Sequence, residues 1–257
     1  GIDNLGTINL NDGQSIVTGE INNNPAKIIS VSNAQVKFKD KVINHGAMEI
    51  VGSEVAFEKG YEGYGKFESL SSSLVFNDLG IRNTGYLMAG EKDTYWVKGD
   101  FINNSSMNED WNTAKAILCF LEGDDLEHDM YIAGIDYGAV HTGYENNFAW
   151  GKLMLTENNS ILILDDGDEN NAAFYTGVLL GALVDGTSIH NISGFEGLNI
   201  YYKAWLSEND YLGGLNYDLT GGGSLIAIQS QVPIPATVWL LGFSLLGLLG
   251  IRRKSAE

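Results

Sequence analysis

Residues 29–47 read ISVSNAQVKFKDKVINHGA, and residues 48–66 read MEIVGSEVAFEKGYEGYGK. Laid one under the other, the two stretches place an apolar strand over an apolar strand and VKF over VAF. The register extends in both directions. INLNDGQSIVTGEINNNPAKI begins at Ile8, FESLSSSLVFNDLGIRNTGY at Phe67 and LMAGEKDTYWVKGDFINNSS at Leu87, so the five starts are 21, 19, 19 and 20 residues apart. Most units carry an apolar strand, a small-polar corner, a second apolar strand (VKF, VAF, LVF), and in four of five an Asn-containing corner. The asparagines at that corner are Asn22, Asn44, Asn83 and Asn103; the unit from Met48 carries GYEGYG there instead.

A unit of about 20 residues cannot close its own hydrophobic face. Stacked on its neighbours, it buries a continuous core and pairs its strands in parallel, at about 4.8 Å per coil. Asparagine at one corner of successive coils then forms a ladder of side-chain amides. Short apolar–polar alternation punctuated by Gly, Asn, Asp and Ser is the strand-and-turn pattern, and helical periodicity is almost missing from the body. The reading is all-β: a parallel β-helix, or β-solenoid. An antiparallel sandwich with hairpins of similar spacing competes with it, but hairpins have no reason to keep a constant unit length or a recurring Asn.

Residues 1–112 form the regular repeats. From 113 to 228 the register loosens, although AILCFLE, DMYIAGIDY, KLMLTENNSILILDDG and LNIYYKAW remain strand-like, and this part is read as continuing or capping the same solenoid. Trp96, Trp111, Trp150 and Trp205 fall at strand edges or corners, as fillers of the interior or as a platform for stacking sugars. Gly221–Gly223 and Gln229–Gln231 are expected to form a flexible neck leading to residues 229–257.

The chain has 257 residues and a formal net charge of −18. Residues 1–231 hold 12 basic and 32 acidic side chains, a net of −20. Such a surface repels phosphate backbones, so no nucleic-acid partner is expected. One cysteine, Cys119, excludes a disulfide framework and reads as a small buried hydrophobe.

The end of the chain breaks with the body. VPIPATVWLLGFSLLGLLGIRRK spans 232–254, and its residues 236–251 carry no charge. As a helix, those sixteen residues span roughly 24 Å, and counting from Val232 gives roughly 30 Å, which barely crosses a bilayer. Arg252, Arg253 and Lys254 follow at once and act as a cytoplasmic stop. Pro233 and Pro235 hold Val232-Pro233-Ile234-Pro235 extended outside the membrane, where a processing enzyme can grip it. A short motif, an apolar helix and a basic end, in that order, resemble the PEP-CTERM sorting signal of bacteria with an outer membrane. Pro233 and Pro235 match the family's two prolines, Arg252-Arg253-Lys254 matches its basic end, and Ile234 stands where the family has glutamate. The resemblance implies an exosortase partner that removes the tail. It also implies passage through the inner membrane to the cell surface or extracellular matrix, in the company of exopolysaccharide.

Chemical motifs are few. The four histidines (45, 128, 141, 190) are scattered, and no zinc spacing or phosphate loop is present. EGDDLEHDM, with Asp124, Asp125, Glu127, His128 and Asp129, reads as a solvated loop. Asp166, Asp168 and Asn170 alternate like the first three ligands of a calcium loop, or form a polar turn between strands; the sixth position is Asn171 and the twelfth Gly177, where such a loop has Gly and Glu. Parallel β-helices also host polysaccharide lyases and hydrolases, for which Asp136, Asp165 and Asp166 are the available carboxylates. The expectation is an exported, non-enzymatic solenoid without a cofactor, structural or adhesive among polysaccharide. Its rivals are a carbohydrate-active β-helix enzyme and a surface protein whose single membrane span is never cut.

Overall fold

A computed structural model describes residues 1–123, 126–156, 158–165 and 172–230. The chain winds into a parallel β-solenoid of about ten turns. At about 4.8 Å per coil this is a rod of roughly 48 Å. Each regular coil has three faces. Face one stacks ten strands: Ile2–Asn4, Ile21–Asn23, Val42–Asn44, Tyr61–Gly63, Leu79–Asn83, Phe101–Ser105, Glu127–Ile132, Ser160–Asp165, Ser188–Ser193 and Tyr217–Thr220. Face two begins with the first halves of Thr7–Val17 and Ile28–Phe38 and continues through Ala47–Val51, Lys66–Leu70 and Tyr86–Ala89. Face three takes the second halves of those two long strands, then Glu54–Phe57, Ser73–Phe76, Thr94–Val97, Thr113–Phe120 and Trp150–Leu155.

The register is the one the repeat implies. Ile8, Ile29, Met48, Phe67 and Leu87 are successive Cα partners on face two. Alternation does the rest: in Ala47–Val51 the inward Met48 and Ile50 are fully buried, while Glu49 between them points out. In three successive coils the last apolar residue of the face-three strand stacks as a ring on a ring. Phe38 lies 5.2 Å from Phe57, and Phe57 lies 4.8 Å from Phe76 with the planes 1° apart. Each ring removes 150–250 Å² of surface from water and contributes about 1.5–3 kcal/mol.

Each corner has its own way of satisfying backbone groups. Between faces one and two, Asn4 Nδ2 donates to Asn23 Oδ1 at 2.7 Å, and Asn23 Nδ2 donates to Asn44 Oδ1 at 2.7 Å. The same amides donate to the carbonyls of Ile28, Ala47 and Lys66 in the adjacent coils. The GYEGYG coil ends this ladder with a substitute: Asn44 Nδ2 donates to the Tyr61 hydroxyl at 2.9 Å. Gly63 leaves room for that phenol, since a Cβ there would sit 2.8 Å from its ring. Gly46 is required for a different reason, because a Cβ there would collide with the Lys27 carbonyl oxygen.

Between faces two and three, Asp12, Asn33, Gly52 and Ser71 occupy one position in four successive coils, all left-handed with φ of 55°, 50°, 58° and 54°. Asn and Asp tolerate that region better than most residues, and Gly has no penalty there. Beneath them runs a buried hydroxyl ladder. The Ala34 amide donates to Ser53 Oγ, the Ser53 amide to Ser72 Oγ and the Ser72 amide to Asp93 Oδ1, at 3.2, 3.2 and 2.7 Å. At the third corner carboxylates do the same: the Gly19 amide donates to Asp40, the Asp100 amide to Asp78 and the Asp129 amide to Asp100.

Five expectations change. Asn22, Asn83 and Asn103 are not in the amide ladder; Asn103 is buried but stacks on the apolar Ile81 and accepts from the Ser105 amide instead. A strand flips its side chains at every residue, so in INNN it is Asn23 that points inward, while Asn22 faces out and donates to Asp3 at 3.3 Å. Asn83 lies two residues beyond Ile81, which holds the ladder position, and is exposed with φ of 53°. Gly221–Gly223 is no neck: with φ of 77°, 125° and 87° it turns the chain between Tyr217–Thr220 and Ser224–Ile228, which pair antiparallel. EGDDLEHDM is not all solvated loop, because Glu127–Ile132 is a strand and His128 is fully buried. Among the described residues no helix is long and apolar enough to cross a membrane. The segment 236–251 expected to do so lies outside them.

Candidate ligand-binding groove

Face three of the first coils buries Val36, Phe38, Val55, Phe57, Leu74 and Phe76, so alternation sends the residues between them outward. Two outward rows result. Gln14, Gln35, Glu54, Ser73 and Thr94 are successive partners in one; Ile16, Lys37, Ala56, Val75 and Trp96 are successive partners in the other. Gln14 to Ser73 of the first row and Ile16 to Val75 of the second line a shallow, open groove of about 470 Å³ that runs along the rod axis, and Trp96 follows Val75 at its end.

The polar row is a second ladder, this one exposed. Gln14 Nε2 donates to Gln35 Oε1 at 2.8 Å, and Gln35 Nε2 donates to Glu54 Oε2 at 3.0 Å. Each amide keeps a second N–H, Gln14 keeps its carbonyl oxygen, and Glu54 keeps Oε1. The apolar row is low at its centre, where Ala56 and Val75 are short. Ile16, 67 % exposed, stands at one end. Trp96 closes the other, its indole N–H donating to Ser73 Oγ at 3.1 Å, which fixes the ring beside Val75. The groove carries one anion, Glu54, and one cation, Lys37, and so has no net formal charge.

The side chains grouped around Asp136 hold the fold. The segment 133–149 leaves the rod after Glu127–Ile132 and packs on Tyr175 and Tyr201, from the paired strands Ala173–Leu180 and Asn199–Lys203, whose rings stack at 4.6 Å. Asp136 anchors it. One carboxylate oxygen accepts from the Gly138 amide and the Tyr201 hydroxyl at 2.6 and 2.8 Å, and the other accepts from Asn199 Nδ2 at 2.6 Å. Burial pushes the Tyr175 phenol up to about 12, and burial followed by the Asp136 carboxylate pushes Tyr201 up as well, so both hydroxyls stay protonated as donors. Lys203 Nζ sits 4.2 Å above the Tyr144 ring, and burial lowers its pKa.

Of the three carboxylates named for catalysis, Asp136 is thus engaged by three donors, Asp165 ends the strand Ser160–Asp165 opposite Ile132, and Asp166 lies outside the described residues. The calcium candidates Asp166, Asp168 and Asn170, the motif Val232–Pro235 and the basic end Arg252–Lys254 also lie outside them. Among the described residues no group of three or more His, Cys, Asp or Glu side chains is placed to hold a metal ion.

The tryptophans divide. Trp150 is 1 % exposed inside the rod, edge-on to Tyr95 and Phe101, and Trp111 packs on Phe148; Trp96 and Trp205 face outward. The groove residues Gln14, Gln35 and Glu54 escaped the sequence reading. Their signal was the polar residue that opens each face-three strand, in QSIV, QVKF and EVAF.

Compared with known proteins, the chain matches no family model, no curated protein and no solved structure.

Proposed function

We propose that this chain is an exported, non-enzymatic surface or extracellular-matrix protein. Its solenoid body is cargo, structural or adhesive among exopolysaccharide, and its end is a cleavable sorting signal of the PEP-CTERM kind. The observation that carries the reading is the sequence VPIP, then sixteen uncharged residues, then Arg252-Arg253-Lys254, attached to a body of net charge −20. A basic triplet stays on the cytoplasmic side and the body goes to the other. An exosortase, a membrane cysteine transpeptidase, then acts at Val232-Pro233-Ile234-Pro235 and releases or transfers the rod. The fold supports a mechanical role: each coil pairs with the next along its strands, and in the first coils the corners are bonded as well, so the load path along the axis is continuous.

The test is the mature C-terminus. Intact-mass spectrometry of the protein from fractionated native cells is expected to find, outside the inner membrane, a form that ends near Pro235. Finding only the full-length chain, held in the inner membrane, overturns the sorting reading and leaves a surface protein whose membrane span is never cut.

A further inference from the structure

We infer that the groove on face three binds an uncharged polysaccharide lengthwise, with the chain axis along the rod. This rests on reading the body as adhesive and adds the site and the ligand class to it. The polar row offers free N–H donors on Gln14 and Gln35 and free oxygen acceptors on Gln14 and Glu54, so donors and acceptors lie side by side along it. Hydroxyl groups donate and accept, so a polyhydroxylated chain meets both needs, whereas a purely anionic or cationic chain meets one. The apolar row, from Ile16 over Ala56 and Val75 to Trp96, presents aliphatic and aromatic surface to the C–H faces of sugar rings.

The fixed indole supports this assignment. Its N–H is already bonded to Ser73, so the exposed part of Trp96 is the ring itself, held without a loss of rotamer freedom on binding. Charge selects against acidic chains, because the groove is neutral and the body around it is strongly negative. Geometry selects against an extended peptide. Such a peptide is held by the unpaired backbone of a strand edge, and the central groove strands, Ile28–Phe38, Glu54–Phe57 and Ser73–Phe76, are paired on both sides. Repetition at about 4.8 Å suits a polymer, since each added coil contact is made within a chain already bound.

The test uses the full chain in detergent, with cellohexaose and laminarihexaose as neutral probes and hexagalacturonate as the acidic one. Binding is read by calorimetry and by new reducing ends. The neutral hexasaccharides are expected to bind, and Trp96→Ala to weaken them at least tenfold. Gln35→Glu, a change on an exposed side chain that sets two carboxylates side by side without touching the core, is expected to weaken them about threefold or more. Trp205→Ala, outside the groove, is expected to leave binding unchanged. No neutral binding, binding of hexagalacturonate alone, or neutral binding that survives both groove variants overturns the proposal. New reducing ends, with binding still lost in the groove variants, support the groove and overturn the non-enzymatic reading instead. An uncut tail with intact binding overturns only the sorting claim.

Discussion

The first five coils and the last five use buried asparagine in opposite ways. In the first, Asn4, Asn23 and Asn44 bond one to the next along the axis, so each amide ties two coils. In the last, Asn147, Asn159, Asn191 and Asn209 hold loops to nearby backbone instead of bonding to one another's side chains. Asn147 bonds Ile135 and Gly143, Asn159 bonds Phe120 and Thr156, and Asn209 bonds Gly177, Leu179 and Lys203. Asn191 bonds Leu183 and Gly181 and also reaches the carbonyl of Asn159. Charge divides the same way: residues 1–112 hold 9 basic and 15 acidic side chains, residues 113–228 hold 3 and 17. A constant coil length lets one device serve every coil, and variable loops need one anchor each.

The comparison is broken or sharpened by substitution. The largest effect is expected at Phe57→Ala, which empties the middle of the Phe38–Phe57–Phe76 stack and costs about 3–5 kcal/mol in chemical unfolding. Next come two asparagines of similar cost, about 2–4 kcal/mol each, because each leaves buried backbone groups unpaired. They differ in reach. In hydrogen exchange, Asn23→Ala is expected to expose amides in the coils on both sides, whereas Asn209→Ala loosens 204–216 and the strand beneath it. Equal spread from both would erase the distinction between ladder and anchor.

Titration separates the halves further. Burial raises the Glu62 carboxyl, but hydrogen bonds and charge from Lys41 and Arg82 outweigh it and hold the group below the usual carboxylate range. Its stabilising contribution is present above the unfolded-state pKa and is lost as pH falls through the lower folded value; Glu62→Gln removes that acid-side loss. Asp129 has the opposite sign, raised first by burial and then by Asp100 and Glu127. Its contribution is complete below the unfolded pKa and is lost as pH rises through the folded one. Asp129→Asn is therefore expected to raise the thermal midpoint at neutral pH, with the gain fading on acidification. The smallest effect belongs to Lys39→Ala, which removes a 2.6 Å pair with Glu58 whose partners are 40 % and 38 % exposed, worth about 0.2–1 kcal/mol and less in high salt.

Register was legible in the first coils because Ile8, Ile29, Met48, Phe67 and Leu87 recur with nearly constant spacing, and equal coils leave no other way to align them. The ladder was misread by one residue at Asn22. In INNN three amides are adjacent, and composition does not say which of them points inward. Past residue 112 the strands are equally apolar, but partners in Thr113–Phe120 and Trp150–Leu155 are 35 to 37 residues apart, Thr113 with Trp150 and Phe120 with Leu155, so the 20-residue period no longer aligns them. The groove was illegible for another reason. Gln14, Gln35 and Glu54 are ordinary surface residues until stacking sets them side by side, and the candidate carboxylate Asp136 became an anchor only once Asn199 and Tyr201 were brought to it.

Cysteine-pair crosslinking tests the stack itself in both halves. Parallel partners on adjacent coils lie within the Cα range a disulfide spans, and partners two coils apart, at about 9.6 Å, do not. The native thiol does not interfere, since Cys119 is buried and its pKa is pushed up to about 12. Oxidation is predicted to close Gln14→Cys with Gln35→Cys, and Tyr131→Cys with Leu164→Cys, and to leave Gln14→Cys with Glu54→Cys open. A closed Gln14–Glu54 pair, or an open Tyr131–Leu164 pair, would contradict a single parallel stack running through both halves of the chain.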